Sequence, residues 1–281
     1  MKLTLFKTLW GHDGTYQEAA DMALAADFNG LEAPAPDNHN QLAQLGQVLA
    51  DNRLDYIAEI CTAGSYVPNR RATPDEHLTS LEQKLQLSRE LSPQFCNVIG
   101  GCDAWPLDTQ IDFFQRAQAL AEKHDLLCSF ETHRSRSFFT PWVTRDVLRA
   151  LPELKITCDF SHWAVVCERL MDSEWDVIEE IAPRAHHIHG RVGYDQGPQV
   201  PHPAAPEYAD ALASHERAWE TLWQAQQAQG YEISTLTPEF GPDGYLHTLP
   251  FTDMPVGDLW EINQWMGQRQ TTHFADWSRT A

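Results

Sequence analysis

The sequence predicts an α/β fold, a single (β/α)8 TIM barrel occupying residues 1–281 as one domain. Three observations predict it. Eight short β-type runs alternate with longer amphipathic segments, no linker or shift in composition interrupts the alternation, and polar residues gather where the later runs end. Strands alternating with helices imply parallel strands joined by right-handed crossovers, and eight such units close most simply into a barrel. A doubly wound open sheet is the alternative, but its first turn should carry a glycine-rich phosphate loop. Here that turn reads Trp10-Gly11-His12-Asp13-Gly14.

Taken in order, Lys2–Thr8 reads as a first strand, not a signal peptide, because Lys7 interrupts the apolar stretch and no small-residue cleavage site follows. Thr15 and Glu18 have the spacing of a capping box and open a helical segment over 18–27. Residues 30–33 and 54–61 are the second and third strands. Thr73-Pro74-Asp75-Glu76 repeats the box with proline at the first helical position, where its missing donor costs nothing. The next strands are 95–100, 126–131, 154–159, 186–191 and 231–239. Among them lie a helix start at Thr140-Pro141, a helical segment over 207–229 and a last start at Asp258 and Glu261. The connections 192–206 and 241–257 are long and follow strand C-terminal ends, so they are expected to be lids or oligomer contacts.

Forty Asp and Glu against 20 Lys and Arg give a formal charge of -20, which disfavours nucleic acid and anionic membrane as partners. No run approaches the roughly 18 apolar residues that span a bilayer. The six cysteines include no CxxC pair and read as free thiols of a reducing cytoplasm. The tryptophans within 259–265 and Trp277 are candidates for a homo-oligomer interface.

Barrel chemistry sits where strands end at the C-terminal face. Strand five ends Ser129-Phe130-Glu131-Thr132-His133, strand six reaches Asp159-Phe160-Ser161-His162, strand seven runs His186-His187-Ile188-His189-Gly190-Arg191, and strand eight ends Thr237-Pro238-Glu239. Side chains alternate along a strand, and an outward Ile188 favours His187 and His189 inward. Glu131, Asp159, His189 and Glu239 would form a three-carboxylate, one-imidazole site. That donor set suits Mn²⁺ first, with Mg²⁺, Co²⁺ or Zn²⁺ as alternatives, and converging carboxylates repel unless a cation neutralises them. A single acid ending a strand is more often a cap; the joint placement of four ligands raises the case for a site. His187 is expected to support this site or touch substrate, and His186 to pack. The remaining histidines, His12, His39, His77, His124, His202, His215, His247 and His273, are expected mostly on solvated surface. Trp105 is a candidate to stack on a sugar face, and Glu32, Arg70 and Arg71 are further candidates for the rim, read first as solvated caps or surface charges.

These residues carry a resemblance. Glu on strand five, Asp-x-x-His on six, His-x-His on seven and Glu on eight resemble the xylose isomerase-like barrels, over essentially the whole chain. That group includes sugar isomerases and epimerases, an inosose dehydratase and a DNA-repair endonuclease. The resemblance selects His189 as the metal-binding histidine and makes His162 a contact to a substrate oxygen. It implies that the ion holds a ketose carbonyl and hydroxyl, and that Glu131 and Glu239 act as base and acid around an enediolate, with His162 and Arg191 stabilising oxygen charge.

The chain also departs from the epimerases. Arg191 lies two residues beyond His189 where they place arginine further on, and Ser137 stands where they carry a further glutamate. His133, Arg134 and Arg136 bring a histidine and two arginines to the rim, which suggests a different, acidic or phosphorylated, ligand. Besides an isomerase or epimerase of a small carbohydrate, two readings stand: a dehydratase of a keto-cyclitol, and a barrel that binds metal and sugar without turnover. The endonuclease would need a basic face and histidines on strands two and three, where Glu32 and Cys61 stand.

Overall fold

Alternation along three strands builds the floor of the barrel. Phe6, Ile57 and Phe95 form an apolar cluster of their own, separate from the main core. Two residues later each of these strands carries a buried polar group, Thr8, Glu59 and Asn97, on the same inward side. The interior therefore changes from apolar to polar toward the strand C-termini. These coordinates are a computed structural model that describes residues 1–242 and 244–280.

The strands close in the order β1-β2-β3-β4-β5-β6-β7-β8, and every neighbouring pair is parallel. They are β1 Lys2–Thr8, β2 Gly30–Pro34, β3 Asp55–Cys61, β4 Phe95–Ile99, β5 Cys128–Glu131, β6 Lys155–Cys158, β7 Ala185–His189 and β8 Ile233–Thr237. Around them run α1 Tyr16–Ala25, α2 His39–Asn52, α3 Pro74–Arg89, α4 Leu107–Lys123, α5 Pro141–Ala150, α6 Phe160–Cys167, α7 Trp175–Ile181, α8 Ala209–Ala228 and α9 Leu259–Thr280. The expected (β/α)8 barrel is thus the fold. The main core fills the space between strands and helices, with outward residues such as Leu31, Val98, Ile156 and Ile188 packed against them.

The helix starts behave as their sequences require. Both capping boxes are formed, with Thr15 N donating to Glu18 at 2.7 Å and Thr73 N donating to Glu76 at 2.7 Å. Thr140 accepts from Val143 N, and Asp258 accepts from Glu261 N at 2.8 Å. All six cysteines are free. Among the described residues no helix is long and apolar enough to cross a membrane.

The late tryptophans are half-buried against this chain's own core. Trp260 packs on Phe28 at 5.7 Å, and Trp277 on Trp223 and Phe274 at 5.5 and 5.4 Å, so both rings serve this chain's own core. The two long connections are tied together: Gln199 is buried, accepts from Gly241 N at 2.8 Å and donates to Gly241 O at 3.2 Å.

Candidate metal centre

Four strand ends converge. Glu131 ends β5 and His189 ends β7, Asp159 follows β6 directly, and Glu239 lies two residues past β8. All four are buried, and their ligand atoms lie within 4.8 Å of one another. The inward parity expected for β7 holds: His187 and His189 face the interior while Ile188 joins the outer core.

His189 Nδ1 is buried and faces the carboxylates, 3.0 Å from Glu239 Oε2 and 3.7 Å from Glu131 Oε2. Its other nitrogen, Nε2, lies 3.0 Å from Glu32 Oε1. Asn97 donates to Glu131 Oε2 at 2.8 Å. Burial pushes the Glu131 carboxyl well up, and the charges of Glu239 and Asp159 add to it against that of His189. For His189 burial works against the charge, but Glu239, Glu32 and Glu131 together outweigh it and push its pKa well up. Carboxylates so placed repel one another, and an imidazole nitrogen, His189 Nδ1, points among them. A cation bonded to each donor at about 2.1–2.4 Å would span such a set. The residues therefore fit a divalent ion, and three oxygens with one nitrogen favour a hard to borderline one.

Beside the cluster Arg191 is sandwiched between aromatic rings, 5.3 Å from Trp10 and 4.9 Å from Tyr245. It donates to Asp159 Oδ2, to Ser161 Oγ at 2.9 Å, to the Glu239 carbonyl at 3.3 Å and to His162 Nε2 at 2.7 Å. A guanidinium only donates, so His162 must accept at Nε2 and carry its proton on Nδ1. That Nδ1 is buried and unpartnered. Burial, with the neighbouring His133 and Arg191, holds His162 well below its usual pKa, so it is neutral. His133 lies beside it, its ring inclined at 47° with centroids 3.9 Å apart, and donates from Nδ1 to the Arg134 carbonyl at 2.5 Å.

A small cavity of about 10 Å³ lies over these groups, lined by Trp10, Tyr66, Ile99, Glu131, His133, Arg191, Glu239 and Tyr245. It is too small for more than about one water, so a sugar enters only if the aromatic cover moves. Gly241 makes that cover possible, because a Cβ there would lie 2.1 Å from the Trp10 ring.

Sequence reasoning missed several of these residues and misplaced others. Glu32 is no cap: it is buried between His187 and His189, which hold it below the usual carboxylate range against the effect of burial. Glu59 was not singled out, and neither were Trp10, Tyr66 and Tyr245. The visible signal for both glutamates is a charged residue flanked by apolar neighbours that pack into the outer core, Leu31-Glu32-Ala33 and Ala58-Glu59-Ile60, which by alternation turns the glutamate inward. Trp105 is not among the cavity-lining residues; its ring packs on His77 at 4.8 Å and Phe113 at 5.4 Å. His77, His124 and His215 are buried, not solvated: His77 pairs with Thr62 Oγ1 at 2.7 Å, and His215 accepts from Gly193 N at 3.3 Å. His186 packs as expected, edge-on to Phe95 at 4.7 Å.

The two-arginine rim is also corrected. Arg136 is fully buried and donates to the backbone carbonyls of Tyr66 at 3.0 Å, Thr62 at 2.7 Å and Gly101 at 3.3 Å, and to that of Ser65. It holds the β3–α3 connection that carries Tyr66 over the cavity and has no donor directed at a ligand. Arg134 stays at the rim, over the Tyr245 ring at 4.9 Å. Arg70 and Arg71 are exposed, as expected.

No family model and no curated protein matches the chain by sequence. By structure it is similar to D-allulose 3-epimerase from Methylomonas sp. in complex with D-allulose, at 11% identity, 97% coverage of each chain and a TM-score of 0.65. It is similar to a xylose isomerase-like TIM barrel protein from Mycobacterium smegmatis in complex with magnesium, at 11% identity, 96% and 97% coverage and a TM-score of 0.63. A third is the probable 3-DHS dehydratase involved in petrobactin synthesis from Bacillus anthracis, at 13% identity, 96% and 99% coverage and a TM-score of 0.59. The chain has the xylose isomerase-like TIM-barrel fold.

Proposed function

We propose that this protein is a divalent-metal-dependent isomerase or epimerase of a sugar or sugar derivative. The observation that carries the proposal is the buried set Glu131, Asp159, His189 and Glu239, whose ligand atoms lie within 4.8 Å of one another. The neighbours add support, since one is an epimerase with bound D-allulose and another holds magnesium. Mn²⁺ is the first candidate, and Mg²⁺, Co²⁺ and Zn²⁺ are alternatives. When bound, the ion supplies Lewis-acid polarisation of a carbonyl oxygen.

The chain's own groups do the rest. Glu131 and Glu239 are assigned the proton transfers, one removing a proton next to the carbonyl and the other returning one. Returned to the same carbon from the opposite face, it gives an epimer; returned to the neighbouring carbon, an isomer. His162 offers Nδ1–H to a substrate oxygen, and Arg191 keeps it in that tautomer while holding Asp159 in place. His133 presents Nε2 as an acceptor, and His187 lies behind His189 in contact with Glu32. Trp10, Tyr66 and Tyr245 keep water out and offer ring faces to a sugar. The two buried arginines direct their donors to the protein itself, which favours a carbohydrate without phosphate.

A second reading, a dehydratase, is favoured by the likeness to the probable 3-DHS dehydratase. It shares the first proton removal and then expels water, so product mass separates the two. The test is direct. Gently purified protein should hold about one divalent ion per chain, and turnover of a small set of ketoses in heavy water should place deuterium on the carbon α to the carbonyl. Glu131→Gln and Glu239→Gln should abolish the label while ligand still binds. Protein that neither carries nor rebinds Mn²⁺ sinks the proposal, and unchanged behaviour of both variants leaves a binding protein.

A further inference from the structure

Glu32 holds both inward histidines of β7 with its two oxygens. Oε1 lies 3.0 Å from His189 Nε2, and Oε2 lies 3.3 Å from His187 Nε2. All three side chains are buried, with Glu32 at 1% exposure and both histidines at 0%. His187 is fixed from behind: its Nδ1 lies 2.7 Å from Thr235 Oγ1, and its Nε2 also lies 3.0 Å from Thr237 Oγ1. Buried this deeply, an ionised carboxylate needs donors, and the histidine Nε2–H groups are the ones its two oxygens meet.

We propose that Glu32 is a positioning residue for the metal centre: by accepting from His189 Nε2–H it holds the imidazole with Nδ1 pointing at Glu131, Asp159 and Glu239. This rests on the metal reading above and adds a residue on the opposite side of the imidazole from the ion. An imidazole is a ligand only at a nitrogen free of its proton. Without an acceptor behind it, His189 could carry that proton on Nδ1, and its ring would lose the partner that fixes its rotation. Carboxylates behind metal-binding histidines commonly act this way, and removing one costs about 10–100-fold in metal affinity. Glu32 thereby links β2 to a centre whose ligands all come from β5 to β8.

The experiment titrates purified metal-free wild type, Glu32→Ala and Glu32→Gln with Mn²⁺ alone, followed by electron paramagnetic resonance. Circular dichroism and Tm of the metal-free proteins report folding. Glu32→Ala is expected to bind Mn²⁺ about 10–100-fold more weakly, and Glu32→Gln, which keeps the volume and one acceptor oxygen, by less. Long-range ¹H–¹⁵N spectra of histidine-labelled, Mg²⁺-loaded wild type should show the His189 Nε2–H shifted downfield by its bond to Glu32, and Glu32→Ala should lose that shift, a feature that a packing role would not set. Folded Glu32→Ala with the wild-type Kd overturns the inference while leaving the metal site standing, whereas His189 protonated at Nδ1 in the loaded protein removes it as a ligand and overturns both. Wild type that binds no Mn²⁺ overturns both. If Glu32→Ala does not fold, Glu32→Met, which keeps the volume and offers no oxygen acceptor, decides: an unchanged Kd and an unchanged His189 spectrum overturn the inference.

Discussion

Glu59 shows what a closed barrel does to a carboxyl group. Burial, with the charges of Glu239 and Glu32 adding to it, pushes its pKa up to about 8. The folded state therefore holds this proton where the unfolded chain has released it. Its contribution to stability is complete below the ordinary carboxylate range and is lost as pH rises from there to about 8. Glu59→Gln in metal-free protein is expected to raise Tm at pH 8 and leave it nearly unchanged at pH 5; an equal change at both values would show that burial of this charge is not the cause. Residues of this kind are where the sequence was hardest to read. Glu131, Asp159 and Glu239 stand out because they end strands, whereas Glu32 and Glu59 sit within them and acquire meaning only from the histidines and acids that other strands bring near. Arg136 looked like a ligand-binding rim residue until its acceptors, carbonyls of the β3–α3 and β4–α4 connections, were in place.

At the scale of elements, the pattern was legible to within a few residues. The strands over 154–159, 186–191 and 231–239 end earlier than expected, at Cys158, His189 and Thr237. The shortfall has a physical reason: Asp159, Arg191 and Glu239 have left the ladder so that their side chains can meet over the barrel mouth. Asp159 also caps α6, accepting from Ser161 N at 2.9 Å, so the residue that starts this helix is also one of the four that converge at the mouth. Caps themselves are local and were read correctly. Thr73→Ala should cost about 1 kcal/mol by leaving the start of α3 without its acceptor, which lowers Tm by about 2–4 °C, while Thr73→Asn should restore most of it. Calorimetry of the two variants checks this, and equal Tm values for Ala and Asn would deny the cap its role.

For the molecule as a whole, a charge of -20 spread over one barrel repels itself. Raising NaCl from about 20 mM to about 500 mM shortens the screening length to a few ångströms and should raise the Tm of the metal-free protein. A fall in Tm would mean that screening weakens attractive pairs, such as Arg149–Glu180 and Arg217–Asp172, more than it relieves the excess of acid. By itself the sequence determined the barrel, its strand parity and four of the groups at its mouth, because all of these follow from periods of two and 3.6 residues and from polar residues at strand ends. Tertiary structure alone decided that Glu32 lies behind His189, that Arg191 sets the proton of His162, and that Trp10, Tyr66 and Tyr245 close the cavity. Those pairings join residues 29 to 157 positions apart or come from separate loops, and no local period carries such information.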